Sequence, residues 1–412
     1  MRKFFLGVAA LAATVVATHA IAETVVSGRS DSGAYYRIVV PDTWNGSLVI
    51  WNHGFTLDAP APVTDLGPLA ALQLAEGFAV AASSYQQNGW AVLKTKNDLQ
   101  QLLGVFKTRF GQPNEIIING ASLGGIVTAA ALEEAHLGNV TGAYTLCGAV
   151  AGSRNWDGAL DLRLTYDLVC ANTPAATIPG GAGGLPPGST FTTTQLATAV
   201  NACTGVLLPP GARTPQQASN LTEILSITQL PESFLLTDMG FATFGLQNLT
   251  YDPAKLAGKL GVGNANVAYD AGGFVDANIA RVTPNPGAAN RLAKNYTPTG
   301  NVGQTKIVSL HTDKDGLVIV ENEHEYASVV PADKLTTGIV VETTPSHCGF
   351  TAGETIAGWE SLRFWLNGNS KPTAQDIQNT CQFLVSNGVA TGPCRIDPGF
   401  VVPPMDSRIR PR

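Results

Sequence analysis

The strand-forming run Glu115-Ile116-Ile117-Ile118-Asn119 is followed without a break by Gly120-Ala121-Ser122-Leu123-Gly124, and then by a helix-compatible stretch from Ile126 to His136. A short apolar run that does not alternate reads as a strand buried on both faces, which is how strands of a parallel sheet look in sequence. A serine between that strand and that helix must sit on a sharp turn. Small residues two positions to either side are then required, because neighbouring backbone crowds in at those positions. In a chain with 44 glycines the five-residue pattern carries little weight alone. Its place between a strand and a helix is what gives it meaning.

The surrounding chain repeats the same rhythm. Strands are expected at Thr24–Gly28, Ala34–Val40, Ser47–His53, Phe78–Ser83 and Val140–Cys147, with helices at 66–76, about 90–109 and 126–136. Strands alternating with helices of this length imply βαβ units, hence an α/β protein with a mainly parallel sheet flanked by helices. After Gly148 the alternation stops for about 150 residues. Gly/Pro-rich stretches at 178–189 and 208–215 lie between helical segments such as 216–228. The rhythm resumes with a strand at 305–311, a helix near 319–329, a strand near 337–343 and a helix at about 354–366. The expected organisation is therefore a core made of 23–149 and 300–412, with 150–299 inserted as a cap or lid. Ile224, Leu230, Phe234, Leu235, Leu236, Phe241 and Phe244 give the insert apolar surface to pack. No internal repeat is visible.

Composition narrows the class. With 44% hydrophobic and 14% charged residues, the chain is not disordered, collagen-like or a coiled coil. Arg2 and Lys3, an uncharged apolar run from Phe4 to about Ala17, and small Ala20 and Ala22 before Glu23 read as a signal peptide spanning 1–22. That run is shorter than the roughly 20 apolar residues of a spanning helix, so no stable membrane insertion is expected. A net charge of −6 with no basic stripe excludes nucleic acid as a natural partner.

Six cysteines in an exported chain favour disulfides, with 15 possible connectivities. Cys170 and Cys203 flank the Gly/Pro loop of the insert, and Cys381 and Cys394 are close together after the last expected helix. Cys147 and Cys348 remain as the third pair. There is no CxxC and no HExxH, so a zinc site is not expected. The stretch from His311 to Val318 faintly resembles a calcium loop, but His311 would hold the leading ligand position and the distal Glu is misplaced, so no metal and no cofactor is expected.

With its strand, Gly120-x-Ser122-x-Gly124 turn and helix, the chain resembles the α/β-hydrolase fold. The resemblance implies a nucleophile, then an acid after a later strand, then a histidine after the last one. Ser122 is the nucleophile of that order, and His347, in Pro345-Ser346-His347-Cys348, is the histidine that follows the last expected strand. His311-Thr312-Asp313-Lys314-Asp315 offers two acids; an Asp three residues before a Val favours Asp315, with Asp313 as the alternative and a turn role as its other reading. Oxyanion donors are implied at the backbone N–H of Leu123 and, through Asn52-His53-Gly54-Phe55, at that of Phe55. His53 is read as a brace of that loop, and His136 and His324 as solvated surface groups. His347-Cys348 and the large insert also resemble the tannase and feruloyl esterase group, in which a disulfide joins the residue before the serine to the residue beside the histidine. Here Ala121 stands before Ser122.

A serine nucleophile disfavours the Asp-nucleophile branch of the fold. The expected function is a carboxylic-ester hydrolase, secreted or periplasmic, acting on small-molecule or polymeric esters. A peptidase or C–C bond hydrolase with the same triad, or a non-catalytic binding protein on this fold, are the alternatives.

Overall fold

Eight strands build one sheet in the order β1-β2-β4-β3-β5-β6-β7-β8. In this computed structural model, which describes residues 23–412, they are β1 Glu23–Arg29, β2 Tyr35–Pro41, β3 Ser47–Asn52, β4 Ala79–Ser83, β5 Glu115–Ala121, β6 Val140–Leu146, β7 Lys306–Thr312 and β8 Leu335–Val340. The expected signal peptide, 1–22, lies outside the described residues. β2 runs antiparallel to both of its neighbours, and every pairing from β4 to β8 is parallel.

The central strands are apolar because both faces are covered. Leu48, Ile50 and Ile118 face one side with Leu99, Leu102 and Phe106 of the helix Val92–Phe110. Val49, Ile117 and Val308 face the other with Trp359 and Leu362 of the helix Ala352–Leu366. Each fully buried side chain of this size contributes about 1.5–3 kcal/mol, so the two layers fix the strand order cooperatively.

Three elements depart from the sequence reading. The helix expected at 66–76 is only Ala70–Ala75, since Pro68 disfavours helical backbone at the preceding Gly67. β8 ends at Val340 rather than 343, because Val341 N–H bonds to the Arg395 carbonyl outside the sheet. A further helix, Ala374–Ser386, starts at a reciprocal cap between Thr373 and Asp376 and contains Cys381. Cys381–Cys394 therefore fastens that helix to the chain after it, where a tail beyond the last helix was expected.

The connection from β6 to β7 contains the helices Asn155–Val169, Thr193–Thr204 and Pro215–Thr228. Beyond these, Leu235–Gly240 runs through a π-helical turn, Phe241–Gly245, into Leu246–Tyr251. Thr192 with Gln195, and Thr214 with Gln217, close capping boxes that stop the second and third of these helices from fraying at their starts. The Gly/Pro stretch is held by a buried cation: Arg163 is paired with Asp167 at 2.9 Å and donates to the carbonyls of Ile178 and Pro179, both at 3.0 Å. Cys170–Cys203 bridges the same region. Buried apolar residues of the connection, such as Ile224 and Leu235, are continuous with one face of the sheet. Among the described residues no helix is long and apolar enough to cross a membrane.

Candidate active site

Ser122 sits at the end of β5 with φ 55° and ψ −122°, directly before the helix Leu123–Glu133. Such a backbone costs a non-glycine residue on the order of 1–3 kcal/mol and persists only where its surroundings enforce it. They do so here: Ser122 N–H donates to the Leu146 carbonyl at 3.0 Å, and its own carbonyl accepts from Gly125 at 2.9 Å and Ala149 at 3.0 Å. The two glycines are required by contact. A Cβ on Gly120 would lie 2.1 Å from the Gly124 carbonyl oxygen, and one on Gly124 would lie 1.9 Å from that of Asn52.

The turn after β7 carries both candidate acids, and the structure gives them different work. Asp315 is fully buried. Its Oδ1 accepts from the N–H groups of Leu317 at 2.9 Å and Val318 at 3.0 Å, and its Oδ2 accepts from His347 Nδ1 at 2.6 Å. That bond fixes the ring with its proton on Nδ1 and leaves Nε2 as the acceptor. Asp313 Oδ1 instead accepts from Glu342 N–H at 2.8 Å, bracing the start of the His347 loop. His347 Nε2 lies 3.6 Å from Cys348 Sγ. No hydrogen bond joins it to Ser122 among the described residues.

Ser122 and His347 line one cavity of about 360 Å³, within the range of small-molecule sites. Its other walls are mostly apolar, including Phe55, Trp90, Phe241 and Leu317. Phe241 meets Phe55 edge-on at 5.2 Å and stacks on Trp156 at 4.4 Å; Trp156 meets Trp90 edge-on at 5.5 Å. The π-helical turn is what delivers Phe241 to this wall. Leu123 N–H is at the first position of its helix and has no intrahelical acceptor. Phe55 N–H likewise has no acceptor among the described residues. Gly54 passes so close that a Cβ there would stand 3.8 Å from Ser122 Oγ. His53 stacks on Tyr85 at 4.1 Å and donates from Nδ1 to the Gly54 carbonyl at 2.8 Å, so it braces the loop.

Strand order, the single reversed β2 and the strained Ser122 turn decide the architecture. The fold is that of the α/β-hydrolases. No family model and no curated protein matches the chain. Solved structures with a similar course include three examples. Feruloyl esterase B from Aspergillus oryzae is 12% identical, covering 87% of this chain and 84% of that one, with TM-score 0.48. The rice cell wall degrading esterase LipA from Xanthomonas oryzae is also 12% identical, covering 87% and 92%, with TM-score 0.43. The acylaminoacyl peptidase of Pyrococcus horikoshii is 10% identical with TM-score 0.42, covering 91% of this chain, which spans 42% of that protein's length.

Sequence reasoning passed over part of this site. His311 is fully buried on β7, with Nδ1 3.0 Å from Glu323 Oε1 and Nε2 donating to the Val318 carbonyl at 2.7 Å. Burial works to lower the His311 pKa, but the hydrogen bond and charge of Glu323, with Asp315 nearby, carry it above the usual histidine value. This pair supports the Leu317-Val318 backbone that holds Asp315. The signal was a histidine in a strand reading as buried, with a glutamate twelve residues later on the following helix. Asn155 and Asn322 exchange side-chain hydrogen bonds at 3.0 and 3.1 Å beside the cavity, a contact spanning 167 residues. His136, expected at the surface, has a side chain only 3% exposed, folded in after the helix end and 3.5 Å from Glu134; burial lowers its pKa. His324 is 41% exposed. The Cys147 and Cys348 sulfurs beside His347 are bonded to each other and are not thiolate metal ligands.

Proposed function

We propose that the protein is a serine hydrolase that cleaves carboxylic esters through an acyl-enzyme on Ser122, with His347 as general base and Asp315 as its orienting acid. The observation that carries this reading is the His347–Asp315 bond of 2.6 Å on the wall of the apolar cavity that also holds the left-handed Ser122. His347 Nε2 takes the Ser122 proton as Oγ adds to the ester carbonyl, and the resulting oxyanion is held by the N–H groups of Leu123 and Phe55. Collapse of this intermediate breaks the C–O bond, and His347 returns the proton to the departing alcohol. Water then adds to the acyl-enzyme by the same route and regenerates Ser122. Residues 150–299 serve as the cap, supplying Phe241 and Asn155 to the cavity. An exported location, periplasmic or extracellular, goes with this reading and is supported by three disulfides and by the composition of residues 1–22.

A fluorophosphonate probe, followed by peptide mapping, tests the nucleophile. Labelling at Ser122 together with turnover of p-nitrophenyl butyrate is expected, and Ser122→Ala should remove both with little change in melting temperature. Loss of one triad member typically costs several orders of magnitude in rate. Absence of labelling in the folded protein would favour a binding role, and faster turnover of peptide anilides would favour a peptidase.

A further inference from the structure

Behind the ester cavity lies a second, smaller one of about 50 Å³, sharing with it the walls Asn155, Phe241 and Leu317. The large cavity is mostly apolar. The small one is lined by four ionisable side chains, Asp161, Asp238, Arg408 and Arg410. Asp161 accepts from Tyr269 and Arg412, and Arg410 donates to the carbonyls of Ile227 and Tyr269, which leaves Asp238 and Arg408. Asp238 is 8% exposed and the Arg408 side chain 10%.

Neither is satisfied. Asp238 Oδ2 has no hydrogen-bond partner, and neither Nε nor Nη2 of Arg408 has one. The nearest carboxylate to Arg408 is Glu321, whose Oε2 is 3.9 Å from Nη1, on the other side of the guanidinium. Leaving such groups buried and unpaired costs on the order of 1–3 kcal/mol each, more when charged. Other buried guanidinium groups meet a carboxylate closely, as in Arg163–Asp167 at 2.9 Å and Arg395–Glu354 at 2.9 Å, although Arg163 Nη1 is also without a partner. What sets Arg408 and Asp238 apart is that their open valences lie on the wall of one cavity.

The free Nε–Nη2 edge of a guanidinium presents two parallel N–H donors, a fork that matches the two oxygens of a carboxylate. Burial first, and then the charge of Asp315, push the Asp238 carboxyl well above the usual range, which suits it to donate a third hydrogen bond. A water-sized group needs roughly 10–15 Å³ of such space, so the cavity has room for about three to five, enough for a carboxylate and its methylene. The shared walls make it the neighbour of the cavity that holds Ser122.

We propose that Arg408 and Asp238 form a carboxylate subsite, so that the favoured esters carry a second, free carboxylate at the far end of the acyl chain, as in half-esters of dicarboxylic acids. The proposal rests on the ester-hydrolase reading for its orientation and on the cavity alone for binding.

Two measurements separate these. Calorimetric titration of the intact protein with linear C4 to C8 dicarboxylates, against diols of equal length, reads the subsite without chemistry. One diacid should bind at least tenfold more tightly than its diol and lose that advantage in Arg408→Gln. Arg408→Lys, which keeps the charge facing Glu321 but lacks the fork, should be intermediate; thermal melting confirms that each variant is folded. In parallel, mono-p-nitrophenyl esters of the same diacids should exceed p-nitrophenyl esters of neutral acids of matching length by tenfold or more in kcat/KM, mainly through KM. Asp238→Asn should reduce that ratio, and Arg408→Gln should bring it to about one. Diacid binding without hydrolysis of any ester would uphold the subsite and overturn the hydrolase. Hydrolysis of neutral esters with no diacid binding and no carboxylate preference would uphold the hydrolase and overturn the subsite, leaving the cavity as water that bridges Asp238 and Arg408.

Discussion

Cys147 and Cys348 are joined by a disulfide across 201 residues of sequence, and both hold left-handed backbone, with φ 44° and 57°. Cys147 follows β6 and donates its N–H to Leu310 on β7 at 2.7 Å, while Cys348 follows His347 directly. The bond thus ties the histidine loop to the centre of the sheet. Elsewhere that loop is held by Thr312 donating to the Ser346 carbonyl at 3.2 Å and by Arg395 donating to that of Gly349 at 2.7 Å.

Mild reduction should therefore reduce ester hydrolysis before the sheet unfolds. The Cys147→Ala/Cys348→Ala double variant should keep its fold and lose roughly tenfold or more in kcat, the order of effect that small misplacement of a catalytic group produces. Far-ultraviolet dichroism recorded alongside p-nitrophenyl ester turnover checks this. Simultaneous loss of structure and activity would make the bond a general staple with no particular role at His347.

The two acids after β7 should separate in kinetics. Asp315→Asn removes the acceptor of His347 Nδ1 and should lower kcat by about 10⁴-fold, as a wrongly held tautomer does in Ser-His-Asp triads. Asp313→Asn leaves an oxygen able to accept from Glu342 N–H, and its kcat should stay within about tenfold of the parent. Equal losses in the two variants would mean that loop geometry, and not the Asp315 carboxylate, sets the rate.

Stability should fall as pH rises through neutrality. Glu76 is buried against Trp359, which donates to its Oε2 at 3.1 Å, and Arg363 lies 2.7 Å from Oε1. Burial, and next the charge of Glu360, push its pKa up to about 8 against the pull of Arg363. A carboxyl whose folded pKa exceeds its unfolded value of about 4.3 retains its proton in the native state and releases it on unfolding. Its contribution is present at low pH and is lost between about pH 4.3 and 8, at a slope of up to about 1.4 kcal/mol per pH unit. Urea unfolding from pH 5 to 9 should show this decline, and Glu76→Gln should flatten it. A variant profile parallel to the parent's would assign the decline to other groups.

How much of this could be read in the sequence depends on how local each cause is. The Ile116–Ile118 run, the glycines around Ser122 and the period of the flanking helices act within about ten residues, and they announced β5, its turn and the parallel sheet. The resemblance to the α/β-hydrolases pointed to His347 and to Asp315 or Asp313, and the structure brings Asp315 to His347. Spacing suggested Cys170–Cys203 and Cys381–Cys394 among fifteen possible connectivities, elimination left Cys147–Cys348, and all three bonds are present. The helix Ala374–Ser386 was also local, signalled by Thr373 and Asp376, but it lay beyond the expected end of the α/β rhythm.

Tertiary structure decided what depends on distant partners. Whether Asp313 or Asp315 meets His347 turns on a half-turn of chain after β7, which only the packing against Leu317 and Val318 sets. His311 and Glu323, Asn155 and Asn322, and Asp238 and Arg408 are ordinary polar residues in sequence. They acquire a role because a sheet, a long connection and a C-terminal segment converge and exclude water, and in that dry space each unpaired donor or acceptor must find a partner or remain open for one.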